Sequence, residues 1–334
     1  MISRFLLKLF LFTLLIACSM QASFFLAQKL ERPYFTDGKY AWVSRLPRKP
    51  KIVLMGSSTV LNNLSPREIM SKCDLQEGEV INLGGGSRGP LQSVHIWREL
   101  GSAIDSVKYV VVSIDPWLAY SAYYWIEDFP TVYWNPVQRM YPAFVNNWPR
   151  YVMSGAVATD VMKKSAQHAL DIQAPNLEVP HDFGGEVLDI HLKNYREHAR
   201  EYFEPVSLFP ISSLYLDRMR ELKQEVEKNG AQFILLLTPK KRIWQEEYRR
   251  DCIDIDSDFV YHLNSALGSV RVIGSFALFQ GDVSLDRGDV EDSLFMDHVH
   301  LSGKGQKKLS DYVAAQLKLV GKLSPSPLRS LSTY

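Results

Sequence analysis

Cysteine is scarce: Cys18, Cys73 and Cys252 are the only three in 334 residues, too few and too scattered for a disulfide framework or a CxxC zinc site. Cys73 and Cys252 are expected as isolated buried thiols rather than a pair. An excess of one charge is also lacking. Lys and Arg number 38 against 37 Asp and Glu, so no global field recruits nucleic acid, and none is expected as a partner. There is no Gly-x-Ser-x-Gly elbow, because Val60 follows Thr59 where glycine is required, and no Walker loop or HExxH helix. A separated Gly-x-Gly-x-x-Gly fingerprint after the first strand is missing as well. No cofactor and no metal is implied. Internal repeats and low-complexity tracts are absent. With 46% hydrophobic and 22% charged residues, the chain falls in the ordinary globular range, which excludes fibrous and wholly disordered readings.

The N-terminal 30 residues differ from the rest. Arg4 and Lys8 precede an uncharged run of 19 residues, Leu9 to Ala27, which as a helix covers about 28 Å, close to the hydrocarbon thickness of a bilayer. A cleaved signal and a retained anchor both fit, and Leu15-Ile16-Ala17-Cys18 also looks like a bacterial lipobox with Cys18 as the lipidated residue. Apolar residues continue through Phe24, Phe25 and Leu26, which favours the uncleaved anchor. Basic residues ahead of a first apolar segment hold that end in the cytoplasm. The expected arrangement is therefore a single-pass, N-in inner-membrane protein whose body works in the periplasm or outside the cell.

After a basic connector (31–50), short apolar runs alternate with helical patterns, the signature of βα units. Strands are expected at Lys51–Met55, Val80–Leu83, Tyr109–Ile114, Phe233–Leu237 and Val270–Ile273. A helix is expected over Ser212–Asn229, with Tyr215, Met219, Leu222 and Val226 on one face, and another after Ser302, with Leu309, Tyr312, Val313 and Leu317 on one stripe. The fold class is α/β: a three-layer αβα arrangement around a doubly wound, mostly parallel five-stranded sheet. The core is expected in two parts, 51–114 and 211–320, with a polar tail at 321–334.

Between the parts lies a long insertion, 115–210. Within Trp117–Tyr151, 12 of 35 residues are aromatic, and four of the seven tryptophans fall there. Such rings stack on sugars, dock against a membrane partner or form the insertion's own small core. Trp117, Trp125 and Trp134 are candidate substrate-binding residues.

Two motifs carry chemistry. The first strand ends in Gly56-Ser57-Ser58-Thr59, and the carboxyl edge of a parallel sheet is where such folds place reactive groups. Asp297-His298-Val299-His300 precedes the last helix, and an Asp three residues before a His in a loop can accept the imidazole Nδ1 proton and leave Nε2 as a base. A nucleophile, a base and an orienting carboxylate are then present. Ser57 is the rival nucleophile and His298 the rival base, although His298 is expected to be a solvated loop histidine. The basic runs Lys240-Lys241-Arg242 and Lys304 with Lys307-Lys308 are expected to be solvated charge.

On these blocks the chain resembles the SGNH, or GDSL-like, hydrolase superfamily. That resemblance implies an SGNH/flavodoxin-like fold, with Ser58 matching the serine of the Gly-Asp-Ser-Leu block and Ser57 in the aspartate's place. It matches Asp297 and His300 to the closing Asp-x-x-His block. It also makes Val80–Pro90 the glycine-rich turn that carries a second oxyanion donor, so the candidate donors are the amides of Ser58 and of one of Gly85, Gly86 and Ser87. The sequence departs from the family at block three, where Asp115 stands in place of Gly-x-Asn-Asp. An inward-pointing Asp115 would repel an oxyanion.

The same departure is similar to a cell-surface branch that includes the D-alanine transfer protein and alginate O-acetyltransferase-like proteins. The implied function is a membrane-anchored, extracytoplasmic serine acyltransferase or esterase acting on O-acetyl or other acyl groups of a cell-envelope polysaccharide. A membrane-bound O-acyltransferase is the implied partner. The alternative is a non-catalytic glycan-binding or assembly subunit.

Overall fold

The computed structural model describes residues 5–8, 10–12, 40–86, 88–120, 178–186, 211–241, 255–279 and 293–323. The chain forms two compact units: Met1–Trp42 with Tyr123–Glu178, and Val43–Ala122 with Val179–Tyr334. The segment expected as one insertion is thus divided, since Val179 onward belongs to the unit that contains the sheet.

Among the described residues that unit holds five strands: β1 (Ile52–Met55), β2 (Val80–Asn82), β3 (Tyr109–Ile114), β4 (Gln232–Leu237) and β5 (Arg271–Gly274). They pair in the order β2-β1-β3-β4-β5, every pair parallel. The chemistry of the runs explains this. IVLM and YVVVSI carry no polar face, and nearly every residue of β1, β3 and β4 is buried, as a sheet covered on both sides requires. Strand limits differ from the sequence expectation by one residue at five of the ten ends, and the weak fifth run is a strand.

The helices follow from the stepping of the chain. Among the described residues of this unit they are α1 (Ser58–Leu61), α2 (Pro66–Cys73), α3 (Pro90–Leu100), α4 (Pro116–Tyr120), α5 (Ser213–Lys228), α6 (Ile255–Leu267) and α7 (Gly303–Leu323). Right-handed crossovers put the connection that steps from β1 out to β2 on one face, and the connections that step the other way on the opposite face. Accordingly α2 packs against α7, while α5 packs against α3 and α6. Tyr215, Met219, Leu222 and Val226 of α5 are all buried, as their spacing predicts. Ser212 caps α5 by accepting the Tyr215 N–H, and Ser65 caps α2 ahead of Pro66 at the first helical position. On α7, Leu309, Val313 and Leu317 are buried; Tyr312 is half-buried, and its hydroxyl accepts the Gly274 N–H at 3.1 Å. The helix continues to Leu323, three residues into the expected tail, because Val320 still finds the core.

Sheet order reverses beside β1: the chain goes out to β2 and returns past β1 to β3. Ligands bind outside the strand ends at such a switch point. The turns after β1, β2 and β3 therefore meet there. Buried polar side chains fix this corner. The Asn63 amide, fully buried, donates to Val299 O at 2.8 Å, and its oxygen accepts the Leu301 N–H at 2.8 Å. Gln306 Nε2 of α7 donates to Asn62 O and Glu186 O, and Ser310 Oγ accepts the Ser65 N–H. Outside β2, Phe183 O accepts the Asn82 N–H at 2.9 Å, so residues 181–186 run along the sheet edge.

Among the described residues no helix is long and apolar enough to cross a membrane; the Leu9–Ala27 run lies largely outside them. Cys73 is a free, half-buried thiol at 3.7 Å from Ala314 O, and Cys252 lies outside the described residues.

Replacing Asn63 by Ala orphans a buried carbonyl and a buried N–H, and should cost about 3 kcal/mol. Lys307→Ala, which removes an exposed pair with Glu68, should change stability far less. Urea denaturation of both variants checks the contrast; equal losses would show that the Asn63 clamp is idle.

Candidate active site

The turn after β1 is built around a glycine that nothing else can replace. Gly56 has φ +144°, and a Cβ there would come within 2.5 Å of Ser113 Oγ and 2.9 Å of Val60 Cγ2. The register explains the crowding: Met55 pairs with Val112, which brings Gly56 beside Ser113 on the neighbouring strand. Ser57 then caps α1, accepting the Thr59 N–H at 3.2 Å, and Ser58 is the first residue of that helix.

This arrangement separates the two serines. Ser57 is buried, and its hydroxyl donates to Asp115 Oδ2. Ser58 is partly exposed, and its Oγ lies 2.8 Å from His300 Nε2. The rival nucleophile thus points inward, and the rival base is displaced: His298 is half-buried, and its carbonyl accepts the Lys241 N–H at 2.9 Å. It is not the solvated loop histidine expected from sequence.

The histidine loop is closed by an antiparallel bridge between Phe295 and Leu301, with the Met296 N–H donating to His300 O at 2.9 Å. Inside it, Asp297 folds back on the chain. Its Oδ1 accepts the N–H groups of Val299 and His300, both at 2.7 Å, and its Oδ2 lies 2.6 Å from His300 Nδ1. Burial by itself would raise the Asp297 carboxyl pKa. The His300 contact and these backbone donors outweigh it and hold the pKa at about 2. With an ionised carboxylate at Nδ1, that nitrogen carries the proton and Nε2 presents its lone pair to Ser58. Ser58, His300 and Asp297, picked from two ends of the chain, therefore form one continuous hydrogen-bonded line.

The oxyanion candidates divide. The Ser58 N–H, at the first turn of α1, has no partner among the described residues. Gly85 is a correction: its N–H already donates to Gly56 O at 3.1 Å, tying the β2 turn to the β1 turn, so it is not an open donor. Gly86 is exposed, a Cβ there would meet nothing within 4 Å, and its N–H has no partner among the described residues. Ser87 lies outside the described residues, as do Trp125 and Trp134; Trp117 lies on α4.

Sequence reasoning missed Arg88. Buried under the glycine turn, it donates from Nη1 to Leu83 O, and a Cβ on Gly85 would come within 2.5 Å of its guanidinium. Two further expectations are corrected by burial. Lys240 and Lys241 are not solvated: Lys240 is fully buried, and its Nζ lies 2.7 Å from Asp115 Oδ1. Nor is Asp115 an unmatched charge aimed at an oxyanion, since it pairs with Lys240 and accepts from Ser57 and Thr59. Burial pushes its pKa up, but the Lys240 charge and these hydrogen bonds more than reverse that, so the group stays ionised. Among the described residues no cluster of three His, Cys, Asp or Glu side chains is placed to hold a metal ion.

The Asp297 carboxyl sits below its ordinary value of 3.8, at about 2, so it adds stability that is fully present above about pH 4 and is lost as pH falls toward 2. The size is about 2 kcal/mol. Unfolding free energies of the wild type and Asp297→Asn from urea denaturation should differ at pH 6 and converge by that amount near pH 2. A constant gap across that range would refute the shift.

No family model and no curated protein matches the chain. Solved structures similar to it include a GDSL-like lipase from Bacteroides thetaiotaomicron, at 9% identity over 88% of this chain and 99% of that one, with a TM-score of 0.40. They also include a Bacteroides fragilis protein provisionally named an acylhydrolase, at 13% identity over 84% and 94%, with a TM-score of 0.37.

Proposed function

We propose that this protein is a serine-dependent acyl-transfer enzyme of the esterase or acyltransferase type. The observation that carries the proposal is the line from Ser58 Oγ to His300 Nε2 at 2.8 Å and from His300 Nδ1 to Asp297 Oδ2 at 2.6 Å. In this reading Ser58 Oγ attacks the carbonyl carbon of an ester while its proton passes to His300 Nε2. The carbonyl oxygen becomes an oxyanion facing the Ser58 N–H, with the Gly86 amide as the second candidate donor. Collapse breaks the bond to the leaving alkoxide, which takes the proton from His300 and departs as an alcohol. Water or an acceptor hydroxyl then gives its proton to His300 and attacks the acyl-serine; collapse breaks the acyl–Oγ bond, and His300 returns the proton to Ser58 Oγ as the acyl group leaves on the acceptor. Asp297 remains ionised throughout and holds the imidazole's orientation.

The finer reading is a membrane-anchored, extracytoplasmic enzyme acting on acyl groups of a cell-envelope polysaccharide, with O-acetyl the preferred group and a membrane-bound O-acyltransferase as donor partner. Its support is the Leu9–Ala27 run behind Arg4 and Lys8, together with the aromatic stretch Trp117–Tyr151, which suits sugar rings. The rival reading, a non-catalytic glycan-binding subunit, draws on Asp115 standing where an asparagine donor is expected.

Ser58→Ala should leave Tm unchanged and lower kcat for acetyl-ester turnover by at least about 10³-fold. A serine-directed fluorophosphonate should label the wild type at Ser58, as mapped by mass spectrometry, and should not label the variant. Full turnover in Ser58→Ala would refute the mechanism. Undiminished polysaccharide binding with no turnover in either protein would favour the rival.

A further inference from the structure

The serine turn and the histidine loop are joined beneath the site by a charged bridge that takes no part in the chemistry. Asp115 stands at the end of β3, and its carboxylate accepts from Ser57 Oγ and from Thr59 Oγ1 at 3.0 Å, the two residues on either side of Ser58. Thr59 Oγ1 also lies 3.2 Å from Ser113 Oγ and 3.1 Å from Ser57 Oγ, so the flanking side chains form one buried cluster. The opposite carboxylate oxygen meets Lys240 Nζ at 2.7 Å, with both side chains essentially inaccessible to solvent. Lys240 is itself held from behind, because its N–H donates to Phe276 O at 2.9 Å. The next residue completes the link: the Lys241 N–H donates to His298 O at 2.9 Å, inside the loop that carries Asp297 and His300.

We propose that Asp115 and Lys240 are positioning residues that set the Ser58–His300 register, by clamping both neighbours of Ser58 to a strap anchored on the histidine loop. The inference rests on the acyl-transfer reading for its kinetic consequences, though not for its geometric ones. Burial makes the device costly to break from one side. A lone buried carboxylate or ammonium is strongly destabilising, whereas replacing both partners with apolar groups of similar size is often neutral. Position can therefore be separated from stability by comparing paired substitutions.

Two pairs make the test. Asp115→Val with Lys240→Met removes both charges and leaves Ser57 and Thr59 without their acceptor. Asp115→Asn with Lys240→Met removes the charges but keeps an oxygen to accept from Ser57 and Thr59. Assayed well below each Tm, the valine pair should lose about 10²-fold in kcat with KM changed less than ~3-fold, the scale of an ångström-sized misplacement. The asparagine pair should recover about tenfold of that loss, whichever pair melts higher. A role in packing alone would make kcat follow Tm across the pairs, and wild-type kcat in the valine pair would overturn the proposal. A crystal structure of the valine pair supplies a readout that needs no substrate: Ser58 Oγ and His300 Nε2 should separate beyond 3.5 Å, and an unchanged contact would overturn the proposal. Wild-type protein that neither turns over esters nor labels at Ser58 would end the acyl-transfer reading instead, and the crystallographic result would still decide the positioning role.

Discussion

The contact between Ser58 Oγ and His300 Nε2 joins residues 242 positions apart, and the rest of the corner is arranged so that it can form. A hydroxyl and an imidazole facing each other near a surface gain little by themselves, on the order of 1 kcal/mol. The closure is carried by buried groups around it. The Asn63 amide grips the backbone on both sides of His300, and Gln306 and Ser310 tie the last helix to the loop that follows α1. Each would leave a buried donor or acceptor stranded if the two ends of the chain parted, which makes the closure cooperative rather than a single weak bond.

The same corner carries two ionised carboxylates with different environments. Asp297 faces the imidazole and is held in the loop by two backbone donors; Asp115 lies under the nucleophile turn, neutralised by a buried lysine. The first can answer a positive charge that appears on His300 during proton transfer. The second has its charge already matched by Lys240 and its remaining oxygen engaged by Ser57 and Thr59. A carboxylate next to Ser58 is thus tolerated because its partner, Lys240, follows the neighbouring strand β4.

The site blocks were legible because their signals are local. Gly56-Ser57-Ser58-Thr59 follows an apolar run and Asp297–His300 precedes an amphipathic helix, so neighbours three or four residues away carry the evidence. The choice of Ser58 over Ser57 agrees with the orientation each hydroxyl adopts, since the helix cap draws Ser57 inward. Gly85 was misjudged for a different reason. A glycine turn after a strand shows that amides are presented, but which amide is already taken depends on how near the β1 turn comes, and only packing decides that.

Strand count, the parallel α/β class, the helix faces and the paired chemical blocks were determined by the sequence alone, because periodicity and capping are written within a turn or two of each residue. Burial of Lys240, the grip of Asn63, the seat of Arg88 under the glycine turn and the return of residues 181–186 along β2 were decided only by the tertiary structure. Each depends on a partner contributed by a different turn of the chain, and a single sequence shows which groups are polar without showing which of them meet.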